Sequence, residues 1–370
     1  MRITFFGLTI SSSWGNGHAT PYRALIRGLH RLGHEVTFYE RDVPYYARHR
    51  DFDKCDYCDV VFYPSFGAMR PWALIAAGSS DIVVNASYCS EGAEIAEVML
   101  AVDGPIHVYY DLDTPITLSK WQRGEAVEYI RPEQIARFEL MLSFTGGRIL
   151  SELETGYGAR MARPLYGCVD PDTYYRVPPR AEFACDLSYM GTYAADRQQK
   201  VEALLLDPAQ RLAEKKFLLA GPMYPEEMKT PANVRRLEHV SVEEHAALFS
   251  SSQWALNVTR AEMAAWGYCP SGRFFEAAAC GTPILTDEWE GLGDFFDVNS
   301  ELRVVRSGEE VMEALNMEVE EREEMARHAR EHTLDEHTGD VRARQFIKAC
   351  EDAASLDLER IKAMYREASL

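Results

Sequence analysis

A glycine-rich loop with a histidine, residues 11–20 (SSSWGNGHAT), is the first segment whose residue types could do chemistry. Gly15 and Gly17 would let the backbone approach a ligand closely, because they carry no side chain. A histidine can act as a general base near neutral pH, so His18 is a candidate for that role. The simpler alternative is a histidine that only hydrogen-bonds its own loop, and the loop taken alone favours that alternative.

This loop matches the dinucleotide-binding pattern G-x-G-x-x-G only in part. Thr20 stands where the third glycine is required, and residues 11–14 separate the predicted strand from Gly15. In that pattern the glycines form the turn itself, so that the helix N-terminus meets the pyrophosphate. Glu40, at the end of the second predicted strand, does fit a ribose-binding acid. The loop length nevertheless disfavours a nicotinamide or flavin dehydrogenase and favours a loop that reaches into a cleft.

The segment 270–296 (PSGRFFEAAACGTPILTDEWEGLGDFF) contains the second group of chemically capable residues. Ser271 can cap a helix that ends at Gly281. Arg273 and Glu276 are three residues apart and therefore share one helix face. A helix N-terminus with an arginine suits a diphosphate, and a carboxylate one turn further could bind ribose hydroxyls. An exposed Arg–Glu pair on a surface helix is an equally good interpretation of the isolated segment.

Alternating strands and helices must position these two segments. The sequence predicts a strand at 2–10, a helix that begins with Thr20 as N-cap and Pro21 in its first turn, and a strand at 34–40. Further strands are predicted at 59–65, 81–87, 106–113, 185–193, 216–224, 254–260 and 282–287, and helices at 196–206 and 271–280. This order predicts parallel sheets covered by helices on both faces.

Composition limits the classes of function. The chain has 370 residues, of which 46% are hydrophobic, enough for two domains. Its net charge of -19 repels phosphate groups and disfavours nucleic acid or an anionic membrane as a partner. No segment reaches the roughly 18 apolar residues of a membrane span, and residues 1–10 do not form a signal peptide. We therefore expect a cytoplasmic protein without a membrane span.

Cysteines offer one further motif. Cys55 and Cys58 form a single C-x-x-C among eight cysteines. A zinc site needs a second pair of ligands, and the sequence shows none at a suitable spacing. Structural or incidental thiols are therefore favoured over a metal or redox role.

Several stretches together resemble a known family. They are SSSWGNGHATPYRALIRGLHRLGHEVTFYERDVPYY, YYDLDTPITL, DLSYMGTYAADRQQKVEALL, LNVTRAEMAAWGYCPSGRFFEAAACGTPILTDEWEGL and HTGDVRA. The chain resembles GT-B glycosyltransferases, specifically the CgeB-like group of spore-maturation-protein-type glycosyltransferases. The resemblance implies an α/β GT-B fold with two Rossmann-like domains, an interdomain cleft and a C-terminal helical segment.

The resemblance also implies a domain organisation. Residues 1–167 would form the N-terminal acceptor domain and 168–182, rich in proline and aspartate, a hinge. Residues 183–344 would form the C-terminal domain that binds the nucleotide-sugar donor. A helix over 345–370 could cross back to the first domain.

The implied reaction moves a sugar from a UDP-, dTDP- or GDP-sugar to an unidentified acceptor hydroxyl, without a metal or other cofactor. Arg273, and after it Arg260, would stabilise the leaving diphosphate, and Glu276 would bind the ribose. The expected donor-binding residues are Gly15, Gly17, Gly191, Tyr193, Arg260, Tyr268, Ser271, Gly272, Arg273, Glu276 and Glu288. The expected catalytic residues, as base candidates, are His18, Asp111 and Asp113.

One position departs from the family pattern. Many retaining GT-B enzymes carry two glutamates eight residues apart. Glu276 matches the second, but Tyr268 occupies the place of the first, and Glu262 or Glu288 could replace it. This leaves both inverting and retaining chemistry open. A nucleotide-sugar epimerase of the same fold and a non-catalytic nucleotide-sugar-binding protein are the alternatives.

Overall fold

The structure is a computed structural model that describes residues 1–368, with side chains up to residue 356 and at residue 358. It divides into two compact units. The first comprises Met1–Tyr166 and the chain from Gly339 onward, and the second comprises Gly167–Thr338. Each unit is built around one parallel sheet.

The strands are β1 Arg2–Gly7, β2 Glu35–Arg41, β3 Asp59–Tyr63, β4 Ile82–Ala86, β5 Ile106–Asp111, β6 Leu140–Ser143, β7 Ala162–Pro164, β8 Cys185–Met190, β9 Phe217–Ala220, β10 Val234–Leu237, β11 Ser252–Asn257, β12 Ile284–Thr286 and β13 Arg303–Val304. The helices are α1 Ala19–Arg31, α2 Pro44–Ala47, α3 Phe66–Gly78, α4 Gly92–Met99, α5 Thr114–Gln122, α6 Arg148–Thr155, α7 Ala195–Val201, α8 Asp207–Arg211, α9 Val242–Ser251, α10 Ala261–Trp266, α11 Gly272–Ala279, α12 Gly308–Ala314, α13 Val319–Glu336 and α14 Gly339–Ala368. Short 3-10 helices lie at Pro132–Arg137 and Leu292–Asp294, and a π-helical turn lies at Glu202–Leu206.

The first unit has a seven-stranded sheet in the order β3-β2-β1-β4-β5-β6-β7. All neighbouring strands are parallel. Every residue of the central strand β4 is buried, as expected for a mainly apolar strand, interrupted only by Asn85, when helices cover both faces of a sheet. The predicted α/β class and parallel pairing are confirmed. The short strands β6 and β7 were not predicted, because they are too brief to show a pattern.

The second unit has a six-stranded parallel sheet in the order β10-β9-β8-β11-β12-β13. Its core includes Leu187, Leu219, Trp254 and Leu285, which are buried side chains of four adjacent strands. The predicted helix over 196–206 is present as α7 and its continuation Glu202–Leu206. The predicted helix over 271–280 is confirmed as α11.

Helix α1 begins two residues earlier than predicted. Its N-cap is His18 rather than Thr20, and the His18 side chain makes no capping hydrogen bond. The side chain is instead bonded to Asp113, so it is not available to the helix end. The predicted C-terminus is confirmed, because Gly33 follows the helix with a φ of +82°.

The unit boundaries differ from the predicted domains at two places. Residues 168–182 lie inside the second unit, where Tyr174 is buried and its hydroxyl hydrogen-bonds His245 Nδ1 at 3.0 Å. Composition suggested a linker because this segment lacks periodicity, but an irregular segment can still pack. The final helix begins at Gly339 and belongs to the first unit, where a Cβ on Gly28 would collide with the carbonyl group of Gly339 and a Cβ on Gly339 with that of Ala24.

No helix in the described part of the chain is both long enough and apolar enough to cross a membrane.

Candidate active site

The first group of predicted site residues lies where β1 and β5 end. The loop 8–18 follows β1, Asp111 is the last residue of β5, and Asp113 immediately precedes α5. Carboxyl ends of parallel strands are the usual place for ligands in open α/β sheets. The first unit therefore brings His18, Asp111 and Asp113 to one edge of its sheet, although they are far apart in sequence.

A buried carboxylate holds the beginning of this loop. Glu40 is completely buried at the end of β2 and accepts hydrogen bonds from Ile10 N at 2.8 Å and Ser11 N at 3.0 Å. Its other oxygen accepts the Ser11 hydroxyl at 2.6 Å. The sequence suggested Glu40 as a ribose-binding acid, but the structure uses both of its oxygens to anchor the loop.

The turn before His18 is organised by an amide side chain. Asn16 donates to Ser12 O at 3.0 Å and accepts the backbone N–H of His18 at 2.9 Å. Gly15 has a φ of +58°, a left-handed conformation that glycine adopts without strain. Nothing lies within 4 Å of the place where a Cβ of Gly17 would be. Gly15 thus serves the turn, whereas Gly17 leaves space open beside it.

His18 and Asp113 form a hydrogen-bonded pair. His18 Nε2 lies 3.2 Å from Asp113 Oδ2, and only 13% of the His18 side chain and 17% of the Asp113 side chain are exposed. The ring of Tyr88 packs edge-on against the imidazole at 5.3 Å between centroids. The other nitrogen, His18 Nδ1, is buried and has no hydrogen-bond partner among the described residues. An imidazole oriented by a carboxylate can accept and hold a proton.

Asp111 has a different environment from Asp113. It is buried, and its Oδ1 accepts the backbone N–H of Asp113 at 2.9 Å. Burial raises the pKa of Asp111 to about 6, an effect that the hydrogen bonds from the Asp113 backbone and Thr117 partly offset. Asp111 therefore fixes the turn that carries Asp113, and the structure separates the two aspartates that the sequence proposed for one role.

The second group of predicted residues lies at the N-terminus of α11. Ser271 is the N-cap, and its hydroxyl accepts the backbone N–H of Arg273 at 3.3 Å. Gly272 is the first residue of the helix. The guanidinium of Arg273 forms a salt bridge with Glu276, whose side chain is only 3% exposed. The structure therefore shows a largely buried pair and not the exposed surface pair that was the alternative interpretation.

Arg273 is also supported by Tyr174. Burial disfavours the charged guanidinium, but Glu276 and Tyr174 outweigh burial and raise the pKa of Arg273. Tyr174 is in turn hydrogen-bonded to His245, whose Nε2 lies 3.2 Å from Val240 O. A guanidinium has five N–H donors in a rigid fork, so one contact with Glu276 leaves others for an anion.

Other predicted donor residues make protein contacts. Arg260 is paired with Asp196 at 3.2 Å, and the same Asp196 oxygen accepts the N–H of Ala261. Arg260 is therefore a salt-bridged arginine at the N-cap of α10. Nearby in the fold, Lys200 pairs with the buried Asp287 at 2.5 Å. Nothing local in the sequence indicates Lys200 as a site residue, because its partner lies 87 residues further along the chain.

The loops after β8 and β9 pack tightly together. Gly221 has a φ of +142°, and a Cβ there would collide with the carbonyl group of Gly191. Tyr193 packs edge-on against Tyr224 at 5.5 Å between ring centroids. Gly221 is thus needed for the approach of the two loops, a Cβ on Gly191 would meet the Tyr189 hydroxyl, and Tyr193 has a packing contact within the unit.

Tyr268 and Glu288 lie in the loops beside α11. Tyr268 has a φ of +48°, its N–H donates to Glu290 O at 2.7 Å, and its ring fills the space that a Cβ of Gly291 would need. Glu288 is 63% exposed and pairs with Arg306 at 2.9 Å. Glu288 lines a surface cavity together with Trp289, Gly291, Asn299, Arg306 and others. Tyr268 does not line this cavity but contacts Gly291, which does.

Comparison with known proteins identifies the fold. Residues 197–348 match the model of a family described as glycosyl transferase-like. Sucrose-phosphate synthase from Thermosynechococcus elongatus has a TM-score of 0.71 at 12% identity, over 96% of this chain and 99% of that chain. The fold is GT-B. No curated protein sequence matches the chain significantly.

Two further solved structures share this GT-B fold. An alpha-glucosyltransferase in complex with UDP has a TM-score of 0.70 at 13% identity, over 95% of this chain and 100% of that chain. HepE from Anabaena, in complex with UDP and glucose, has a TM-score of 0.65 at 12% identity, over 95% of this chain and 99% of that chain. At such identities the likeness concerns the fold alone.

In the described part of this GT-B chain, no three His, Cys, Asp or Glu side chains are grouped so that they could hold a metal ion. The second unit contains three cation–carboxylate pairs among the predicted site residues and their partners: Arg273 with Glu276 on α11, Arg260 with Asp196, and Lys200 with Asp287. The second unit can therefore offer an anionic ligand fixed cations and helix N–H groups.

Proposed function

We propose that the protein is a CgeB-like glycosyltransferase that moves a hexosyl unit from a nucleotide-sugar to an acceptor hydroxyl without a metal ion. The observation that carries this proposal is the Arg273–Glu276 pair at the N-terminus of α11, inside the region that matches the family model. The GT-B structures that contain UDP, or UDP with glucose, favour a UDP-sugar as the donor.

The second unit would bind the donor. The free N–H groups at the N-terminus of α11 and the remaining N–H donors of Arg273 would bind the diphosphate. Glu276 would accept hydrogen bonds from the ribose hydroxyls. When the bond between the anomeric carbon and the diphosphate oxygen breaks, Arg273 would stabilise the negative charge of the leaving group.

The first unit would supply the base in an inverting reaction. The acceptor hydroxyl loses its proton to the His18–Asp113 pair as its oxygen bonds to the anomeric carbon. Because Asp113 lies at His18 Nε2, the proton would be taken up at His18 Nδ1, and the carboxylate would stabilise the resulting imidazolium. A retaining reaction would not need this pair, since the leaving phosphate can take the proton.

The acceptor would be uncharged or cationic. The net charge of -19 disfavours a polyanionic acceptor such as DNA. One of the GT-B alpha-glucosyltransferase structures contains a 13-mer DNA. The GT-B fold by itself therefore does not exclude a DNA acceptor, and the argument against one is the net charge of this chain.

The first experiment is a thermal-shift comparison of UDP, GDP, dTDP and NAD. A ligand that binds only the folded state raises the melting temperature, and we expect UDP to do so while NAD does not. Donor consumption with UDP-glucose and a panel of hydroxyl acceptors then separates the alternatives. Transfer requires an acceptor, an epimerase releases a sugar epimer without one, and a non-catalytic binding protein consumes nothing.

A further inference from the structure

We propose that Cys55 and Cys58 form a redox-active dithiol that closes reversibly to an intramolecular disulfide. The two sulfur atoms lie 3.5 Å apart, and the Cys55 thiol also contacts Cys58 O at 3.4 Å. Both residues lie in the irregular segment between α2 and β3. The C-x-x-C spacing alone does not show whether the two sulfurs face each other. The sequence by itself therefore favours structural or incidental thiols.

The two thiols differ in access. Cys55 is partly exposed, whereas Cys58 is 9% exposed. The other cysteines are buried, namely Cys89, Cys168, Cys185, Cys269, Cys280 and Cys350. Cys55 is therefore the thiol that an external reagent can reach first, and Cys58 is placed behind it as a second, protected thiol.

The two thiols also differ in acidity. The hydrogen bond from the Cys58 thiol, together with the backbone N–H groups of Cys58 and Tyr57, lowers the pKa of Cys55 to about 6, although burial works in the opposite direction. The same pairing and burial raise the pKa of Cys58. Cys55 is therefore the more readily ionised of the two thiols, and the thiolate is the nucleophile in thiol–disulfide exchange.

A metal site is the competing use of a C-x-x-C motif. His30, His34, Asp56 and Asp59 line the same surface cavity as the two cysteines. Nevertheless, no three of the described His, Cys, Asp or Glu side chains are grouped so that they could hold a metal ion. The two sulfurs lie 3.5 Å apart, close enough to join with a small movement, which favours sulfur chemistry over metal binding.

The exchange requires a small-molecule disulfide as oxidant, such as oxidised glutathione. The Cys55 thiolate attacks one sulfur of that disulfide, so that a mixed disulfide forms and one small thiolate leaves. This thiolate takes the proton of Cys58. The Cys58 sulfur then attacks Cys55 Sγ and expels the second small thiolate. That second thiolate takes up from the solvent the proton that Cys55 released when it ionised, so that in total the dithiol loses two electrons and two protons and the small disulfide becomes two thiols.

The dithiol segment is connected to the loop that carries His18. Asp51, four residues before Cys55, donates its N–H to Ser11 O at 2.8 Å. Its carboxylate accepts the N–H of Ser13 at 2.9 Å and Arg23 Nη2 at 2.6 Å. Thiol chemistry at Cys55 would thus take place within a segment that is bonded to the 11–18 loop.

The test uses the full chain. Reduced protein is incubated in glutathione buffers of increasing oxidised fraction, free thiols are alkylated, and peptides are identified by mass. We expect a peptide with a Cys55–Cys58 disulfide that dithiothreitol reverses. Cys58→Ser should instead accumulate glutathione on Cys55, and Cys55→Ser should form neither product. Cys350→Ala, which removes a buried thiol elsewhere, should behave as the parent.

Two results would overturn the proposal. One is a folded protein in which Cys55 and Cys58 both stay alkylatable at every glutathione ratio. The other is stoichiometric zinc that is released when Cys55 is alkylated, because this would make the motif a metal site. Melting curves of each variant confirm that the protein tested is folded. None of these outcomes depends on glycosyl transfer. The test of the dithiol can therefore succeed or fail independently of the test of the proposed function.

Discussion

The imidazole of His18 and the carboxylate of Asp113 form a hydrogen bond of 3.2 Å between residues that are 95 positions apart in the sequence. The pair is largely buried and lies at the carboxyl edge of the first sheet. This arrangement can orient a histidine and stabilise its protonated form, which is the requirement for a general base.

Replacing either member of this pair should reduce turnover far more than donor binding. We expect His18→Ala to lower the rate by about 10²–10⁴-fold, the usual contribution of general acid–base catalysis, and Asp113→Asn to lower it less. Initial rates at saturating donor and calorimetry of donor binding check this. His30→Ala, an exposed histidine of α1, serves as the matched control. Lost donor affinity with a normal saturated rate would make His18 a binding residue instead.

The salt bridge between Arg273 and the buried Glu276 predicts that stability and binding can be separated. Arg273→Ala leaves a buried carboxylate without its cation, so we expect a loss of about 1–3 kcal/mol in the free energy of unfolding. The double variant Arg273→Ala/Glu276→Gln should regain most of this stability but not the donor affinity. Denaturant unfolding and donor titration measure the two effects.

The control for this experiment is Arg260→Ala/Asp196→Asn, which removes a partly exposed pair in the same unit. It should change stability little, since exposed pairs contribute little. A double variant at Arg273 and Glu276 that bound donor as the parent does would exclude both residues from the donor site.

The buried Asp111 should make stability depend on pH in a defined direction. Burial raises the pKa of Asp111 from 3.8 to about 6 in the folded protein, so the folded state binds this proton more tightly than the unfolded chain does. The resulting stabilisation is present below about pH 4 and is lost as the pH rises through 6. Asp111→Asn should remove that dependence, with a difference of up to about 3 kcal/mol between the two pH limits.

Unfolding free energies of the parent and Asp111→Asn between pH 4 and pH 7 test this prediction. Parallel pH curves for the two proteins would show that Asp111 is ionised as easily when folded as when unfolded. Glu139→Gln gives a contrasting control, because the pKa of Glu139 is lowered by its hydrogen bonds to His107, which outweigh burial.

The two glycines of the 11–20 loop should respond differently to alanine. Gly15 has a φ of +58°, where a Cβ costs about 1–2 kcal/mol, whereas the position of a Cβ at Gly17 is open. Gly15→Ala should therefore lower the melting temperature, and Gly17→Ala should leave it unchanged. Equal shifts would contradict the described turn. Any loss of activity in Gly17→Ala at normal stability would show that the open space is used by a substrate.

Much of the fold could be predicted because it depends on local patterns. Buried parallel strands such as β4 are mainly apolar, and the cap at Ser271 and the end at Gly33 are determined by short-range rules. The brief strands β7 and β13 carry no such pattern. The segment 168–182 looked like a linker, because nothing local reveals that Tyr174 meets His245.

The sequence indicates candidate residues of the site, but it does not show which of them contact each other. The sequence indicated His18 and Asp113 separately, but only the fold brings them together. The sequence places Glu40 correctly at the end of a strand. It does not show that the Glu40 carboxylate accepts hydrogen bonds from Ile10 N and Ser11 N, because these residues lie 30 and 29 positions away. The salt bridge of Arg273 and Glu276, by contrast, follows directly from helical spacing.

The most direct test of donor binding is a calorimetric titration of UDP into the protein in the presence of a chelator. The account predicts saturable binding of one UDP per chain, which is abolished in Arg273→Ala/Glu276→Gln while the melting temperature of that variant stays near that of the parent. The absence of binding to the folded parent protein, or binding that appears only when manganese or magnesium is added back, would contradict a metal-independent nucleotide-sugar site at Arg273.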